Sequence, residues 1–229
     1  LLFFGAEIPK METPEKVTGA LKLLLNKSVL FSVFAIFLGG ASECTMAQWC
    51  SGYIEKAIGI DKVWGDLFGV AMFSVMLGLG RSLYAKFGRN IEKILVIGAV
   101  GAVVCYFTAA VSPVPVLGLI ACAITGFCTS MLWPGNLVVA SKKFHSSGVF
   151  IYAMMAAGGD LGASVGPQLV GIVTDTIALS SKASEFASSL NLTVEQLGMK
   201  AGMLVGMLFP LIAIFVYIKL WKNSGKQAL

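Results

Sequence analysis

Two carboxylates and one polar-aromatic stripe, all inside apolar runs, are the residues of this 229-residue chain that can do chemistry. Glu43 lies in Gly39–Tyr53, GGASECTMAQWCSGY, which continues an apolar run starting near Ser28. A carboxylate in hydrocarbon costs roughly 3 kcal/mol on insertion scales, and such residues mark a binding site or pathway, or else serve as interhelical glue. The chemistry open to Glu43 is uptake and release of a proton, or a hydrogen bond to a small polar solute. Gly39 and Gly40 just before it predict a helix loosened at that point, as in the interrupted helices that build midplane sites. Gln48 stands five residues further on, about 140° around a regular helix, so both face one cavity only if the helix is broken. Glu43 shares its face with Gly39, Ala47 and Cys50, whose small side chains leave room for a solute, and it ranks above Gln48.

Asp160 is the second acid, and its face carries Ala153, Ala156, Ala157, Ala163, Ser164 and Pro167. Such a stripe admits a neighbouring helix, so Asp160 is read either as a bond across an interface or as a proton-coupling group. The third feature is the run Cys122, Thr125, Thr129, Trp133 and Asn136, which falls within about 60° of one direction on a helix. Hydroxyls, an amide and an indole on one stripe suit a sugar-like ligand, and interhelical hydrogen bonding accounts for them equally well. His145, in a Lys-Lys-Phe-His-Ser loop, is read as solvated.

The elements that must position these groups follow from composition. The chain is 57% hydrophobic and 13% charged, with a mean hydropathy of +0.84, which makes it an integral membrane protein. Its net charge of +5 comes without a basic cluster interleaved with aromatics, so nucleic acid is not an expected partner. The five cysteines all sit in apolar runs, which argues against a disulfide framework, and no histidine stands near enough for a metal site. No HExxH, nucleophile elbow, P-loop or dinucleotide fingerprint is present, so neither an enzyme nor a cofactor is expected.

Six apolar segments are long enough to span a bilayer, near 28–53, 63–83, 92–112, 114–141, 147–177 and 198–221. Residues 1–27 read as a linker: Leu1–Phe4 as the end of a preceding helix, then a surface helix opening at Thr13-Pro14-Glu15. Residues 222–229 read as a tail. Thr193-Val-Glu-Gln196 is a capping box before the sixth span, and Pro210 should kink that span. The loop 180–192 is the one sizeable connection on its side. Of the 17 basic residues, 13 fall on one side of this arrangement, which the positive-inside rule makes cytoplasmic together with both termini.

Arg81-Ser-Leu-Tyr-Ala-Lys-Phe-Gly-Arg89, between the second and third spans, resembles an eroded copy of the loop signature of the major facilitator superfamily. Leu83, Lys86, Gly88 and Arg89 match it, while Arg81 stands for a glycine and Ala85 for an aspartate. Gly162-Ala-Ser-Val-Gly166-Pro167 is similar to the G-x-x-x-G-P signature of some facilitator families, although small-residue packing explains its glycines too. With six spans and a basic lead-in, the chain resembles the second half, helices seven to twelve, of a facilitator transporter. Gly40-Ala-Ser-Glu43 with Trp49 and Tyr53, and Gly126–Pro134, loosely resemble the fucose-permease type of sugar/proton symporter.

The resemblance implies an all-α integral membrane fold, six transmembrane helices forming half of a twelve-helix bundle in the plasma membrane. It implies alternating access, with a small solute, protons and an N-terminal six-helix half as partners. Glu43, Gln48, Thr129, Trp133 and Asn136 are the expected solute contacts, and Glu43 or Asp160 the proton carrier. Two alternatives are a six-span channel or uncoupled facilitator, and a drug or organic-anion facilitator of the same superfamily. A channel needs a filter segment, and no re-entrant stretch is visible.

Overall fold

A computed structural model describes residues 25–144 and 148–226. The surface helix expected after Thr13, the apolar Leu1–Phe4 and His145 lie outside the described residues. The chain forms α1 (Lys27–Ile58), α2 (Lys62–Phe87), α3 (Ile91–Val111) and α4 (Pro115–Lys143). It continues as α5 (Gly148–Ala178), a short α6 (Ser181–Ser189) and α7 (Val194–Lys222). No strand occurs among the described residues. Five of the helices, α1 to α4 and α7, are long and apolar enough to cross a membrane. The remaining long helix, α5, has 31 residues and packs among them.

Local sequence sets the boundaries. Asn26, Asp61 and Asn90 cap α1, α2 and α3, their side chains accepting from the backbone N–H of Ser28, Val63 and Lys93. The capping box at α7 is present, with Thr193 and Gln196 satisfying each other's backbone N–H groups. Beyond its expected end near Tyr53, α1 continues to Ile58 in a wide π turn and stops at Gly59, whose φ of 81° suits glycine. A second π turn, Asp66–Ala71, lies near the start of α2. Neither π turn has a sequence signal. The loop 180–192 also holds α6, which buries Ala183 and Ala187 one turn apart.

Two helices depart from regularity at proline. In α4 the helix opens into a turn over 130–133, between segments Pro115–Thr129 and Pro134–Lys143. Pro134 has no N–H, so the Ser130 carbonyl loses its helical partner. In α7 the break falls at Met207, three residues before the Pro210 expected to cause it.

Small residues bring the helices together. The most extensive pair is α1 with α5, where Gly40 meets the Gly159 carbonyl and Gly162 the Phe37 carbonyl with no space for a Cβ. This corrects the reading of Gly39–Gly40 as a loosened point. α1 is an unbroken α-helix from Lys27 to Gly52, and its glycine pair serves close approach, Gly39 to the Leu132 carbonyl of α4. Three fully buried tyrosines tie neighbouring helices, each donating its hydroxyl to a backbone carbonyl. Tyr53 reaches Ala109 at 2.7 Å, Tyr106 reaches Ser42 at 2.9 Å and Tyr217 reaches Ala35 at 3.1 Å. The Ala109 and Ala110 carbonyls belong to the last turn of α3, where helical partners run out. Lys200 of α7 takes the Ala110 carbonyl at 3.0 Å.

Candidate functional site

Glu43 is held by a partner that α2 supplies. Arg81 Nη2 donates to both carboxylate oxygens, Oε1 at 3.1 Å and Oε2 at 3.3 Å. Its Nε donates to the Ser130 carbonyl at 3.1 Å, the group that Pro134 sets free. One guanidinium therefore joins α1, α2 and the break in α4. The acid is mostly covered, its side chain 18% exposed, and the arginine is 43% exposed. The contact depends on Gly80, since a Cβ there would run into Ser130 Oγ.

Arg81 opens the loop motif yet falls within the expected span 63–83, and it lies inside α2, six residues before its last residue, Phe87. The motif divides accordingly. Lys86 sits in the last turn with its ammonium 5.2 Å from the Phe87 ring centroid, Gly88 ends the helix, and Arg89 lies in the connection. Arg81 is the partner of Glu43 that the pattern hid, because reading it at the start of a loop signature drew attention away from the apolar run containing it.

The other candidates separate into three environments. Gln48 is exposed on α1 and lines an open cavity of about 660 Å³ with Ser164, Gln168 and Asp175 of α5. Trp49 borders the same cavity, its indole N–H donating to the Pro167 carbonyl at 3.0 Å. Asp160 is exposed, which corrects its reading as a buried acid. The face that closes on α1 carries Gly158, Gly159, Gly162 and Gly166, and Asp160 points away from it with Ser164, Gln168 and Asp175 at i+4, i+8 and i+15. Cys44, next to Glu43 on α1, is partly exposed, and Asp160 is exposed on α5, the helix that packs most extensively on α1.

The stripe on α4 is taken up inside the bundle, apart from its indole. Thr129 is fully buried and donates to the Thr125 carbonyl at 2.9 Å, and Thr125 donates to the Ala121 carbonyl at 2.7 Å. Asn136 is 2% exposed. Its amide meets the Tyr217 hydroxyl at 3.1 Å and the Leu132 carbonyl at 2.5 Å, linking α4 to α7 and to its own break. Trp133 is half-buried, with its indole against Gly159 of α5. Asn136→Ala is therefore expected to cost stability, about 1–3 kcal/mol for the stranded partners. Trp133→Ala should leave the fold intact and weaken solute binding. Thermal melting and solute titration of the two purified variants separate these outcomes.

No three or more histidine, cysteine or acidic residues converge in a metal-holding group among the described residues. What remains is a neutral ion pair between α1 and α2, and a separate open polar cavity between α1 and α5. The pair can exchange a proton at Glu43 and can offer guanidinium donors at Arg81. The family model described as Major Facilitator Superfamily matches residues 1–167. No curated protein and no solved structure matches the chain.

Proposed function

Since this chain belongs to the Major Facilitator Superfamily, and is thus a membrane transporter, we propose that it moves a small polar solute by alternating access, driven by protons that Glu43 carries. The observation that supports this reading most is the Glu43–Arg81 pair within the spans, its arginine partly exposed. An acid and a base that join three helices give a proton something to change, since protonating Glu43 removes the attraction that binds α1 to α2. Asp160 is the second candidate for the proton.

The polar exposed row of Asp160, Ser164, Gln168 and Asp175 is poorly suited to lipid. We take it as the face against which a second six-helix half closes around the solute. Trp133 supports a ring-bearing, sugar-like solute, whereas Thr129 and Asn136, spent on helix contacts, add nothing to that choice. The clustering of basic residues supports both termini in the cytoplasm of a plasma-membrane protein. The intact protein in proteoliposomes should give saturable solute uptake that rises with an inward proton gradient. Unsaturable flux or single-channel current would replace the transporter reading with a channel.

A further inference from the structure

The ion pair leaves part of Arg81 unused. Nη2 holds Glu43 and Nε holds Ser130, while Nη1 has no hydrogen-bond partner among the described residues. The side chain is 43% exposed. A guanidinium presents five donors in a planar fork that fits a carboxylate, and Glu43 occupies only one nitrogen of it.

Charge balance then restricts the solute. Glu43 and Arg81 together are neutral, so a proton on Glu43 leaves a lone guanidinium inside a membrane span. A lone charge in such surroundings is costly. A neutral sugar cannot offset it, whereas a solute carboxylate does. Building on the proton-driven transport proposed above, we infer that the solute is a small organic acid, whose carboxylate replaces that of Glu43 on Arg81 as Glu43 takes up the proton. An O–H bond forms on Glu43, the Arg81 hydrogen bonds pass from one carboxylate to the other, and the net charge of the site does not change. Proton and anion thus favour each other's binding, by the same factor in both directions.

The groups facing the pair fix the pH behaviour. On α1 there is the partly exposed Cys44 beside Glu43, and on α5 the exposed Asp160. α4 brings the Ser130 carbonyl and, two residues earlier, the free thiol Cys128. On α2 the nearest titratable side chain is Tyr84, one turn after Arg81. Asp160 repels an incoming anion, so Asp160→Asn should tighten acid binding.

The test uses the intact purified protein and three acids, each matched with a neutral twin: lactate with propane-1,2-diol, gluconate with sorbitol, glucuronate with glucose. Binding is read by thermal shift and tryptophan fluorescence at pH 5.5 and 7.5. At least one acid is expected to bind about tenfold or more tighter than its twin at pH 5.5, and to weaken about tenfold at pH 7.5. Glu43→Gln should bind that acid equally at both pH values. Arg81→Lys, which keeps the charge without the fork, should bind it more weakly. Arg81→Gln can misfold by stranding Glu43, so the decisive variant is the double Glu43→Gln/Arg81→Gln, which replaces the pair with neutral amides and should bind no acid while melting as a folded protein. The inference is overturned if the neutral twins bind as tightly as the acids, if the double variant still binds acid, or if no acid binds at either pH. Proton-driven uptake of any solute alongside such a result would keep the transport reading and discard only the acid class.

Discussion

Leucine at Gly40 or at Gly162 will leave almost no folded protein to purify. A Cβ at Gly40 would enter the Gly159 carbonyl, and one at Gly162 the Phe37 carbonyl. Both obstacles are backbone atoms, which have no rotamer to retreat into. Overpacking that side chains can absorb costs about 1–3 kcal/mol, and here the helices α1 and α5 themselves must part. Because that pair is the most extensive in the bundle, most of the surrounding contacts go with it. Gly78 of α2 is the control, since a Cβ there meets nothing within 4 Å and Gly78→Leu should behave as the parent. Size-exclusion profiles of detergent extracts decide the matter. A monodisperse Gly162→Leu protein with the parental melting temperature would show that the α1–α5 contact is not needed.

Glu43→Gln is expected to retain solute exchange and lose accumulation. Glutamine keeps the size of the side chain and imitates protonated Glu43, so the fold survives without the charge attraction to Arg81. What disappears is the ability to alternate between a charged state that grips the guanidinium and a neutral state that does not. Only a difference of that kind lets a proton bias an equilibrium between two conformations. One coupled proton supports up to about tenfold accumulation per unit of imposed pH gradient, and the variant should show none of it. The measurement is uptake into proteoliposomes with and without a gradient, beside counterflow at equal pH. Should Glu43→Gln still accumulate solute, the coupling moves to Asp160, and Asp160→Asn becomes the informative variant.

The helices were readable because their signals are local. Apolar runs and the Thr193–Gln196 box need no knowledge of neighbours, and the boundaries fall close to where they indicate. The site was only half readable, because periodicity gives the face of a helix but not what covers it. The stripe through Thr129 and Asn136 is real, yet α1 and α7 close over it and Tyr217 uses the amide. Asp160 erred in the other direction, since the flanking glycines, rather than the alanine stripe, are what α1 packs against. Arg81 and Glu43 are 38 residues apart, and nothing in either segment names the other. A basic residue within the second apolar run was the available signal.

The break in α4 also has a mechanical side. An unbroken helix of its 29 residues would be about 43 Å of stiff rod. Here it is two levers on a pivot at 130–133. The first lever lies mainly against α2 and α3, the second against α1, α3 and α5. A torque delivered through α2 turns the first lever, and how much of it reaches the second depends on the stiffness of the pivot. The Ser130 oxygen at that pivot is held by the same guanidinium that holds Glu43. One side chain of α2 therefore ties the pivot of α4 to a carboxyl of α1, a stay across a joint that belongs to neither.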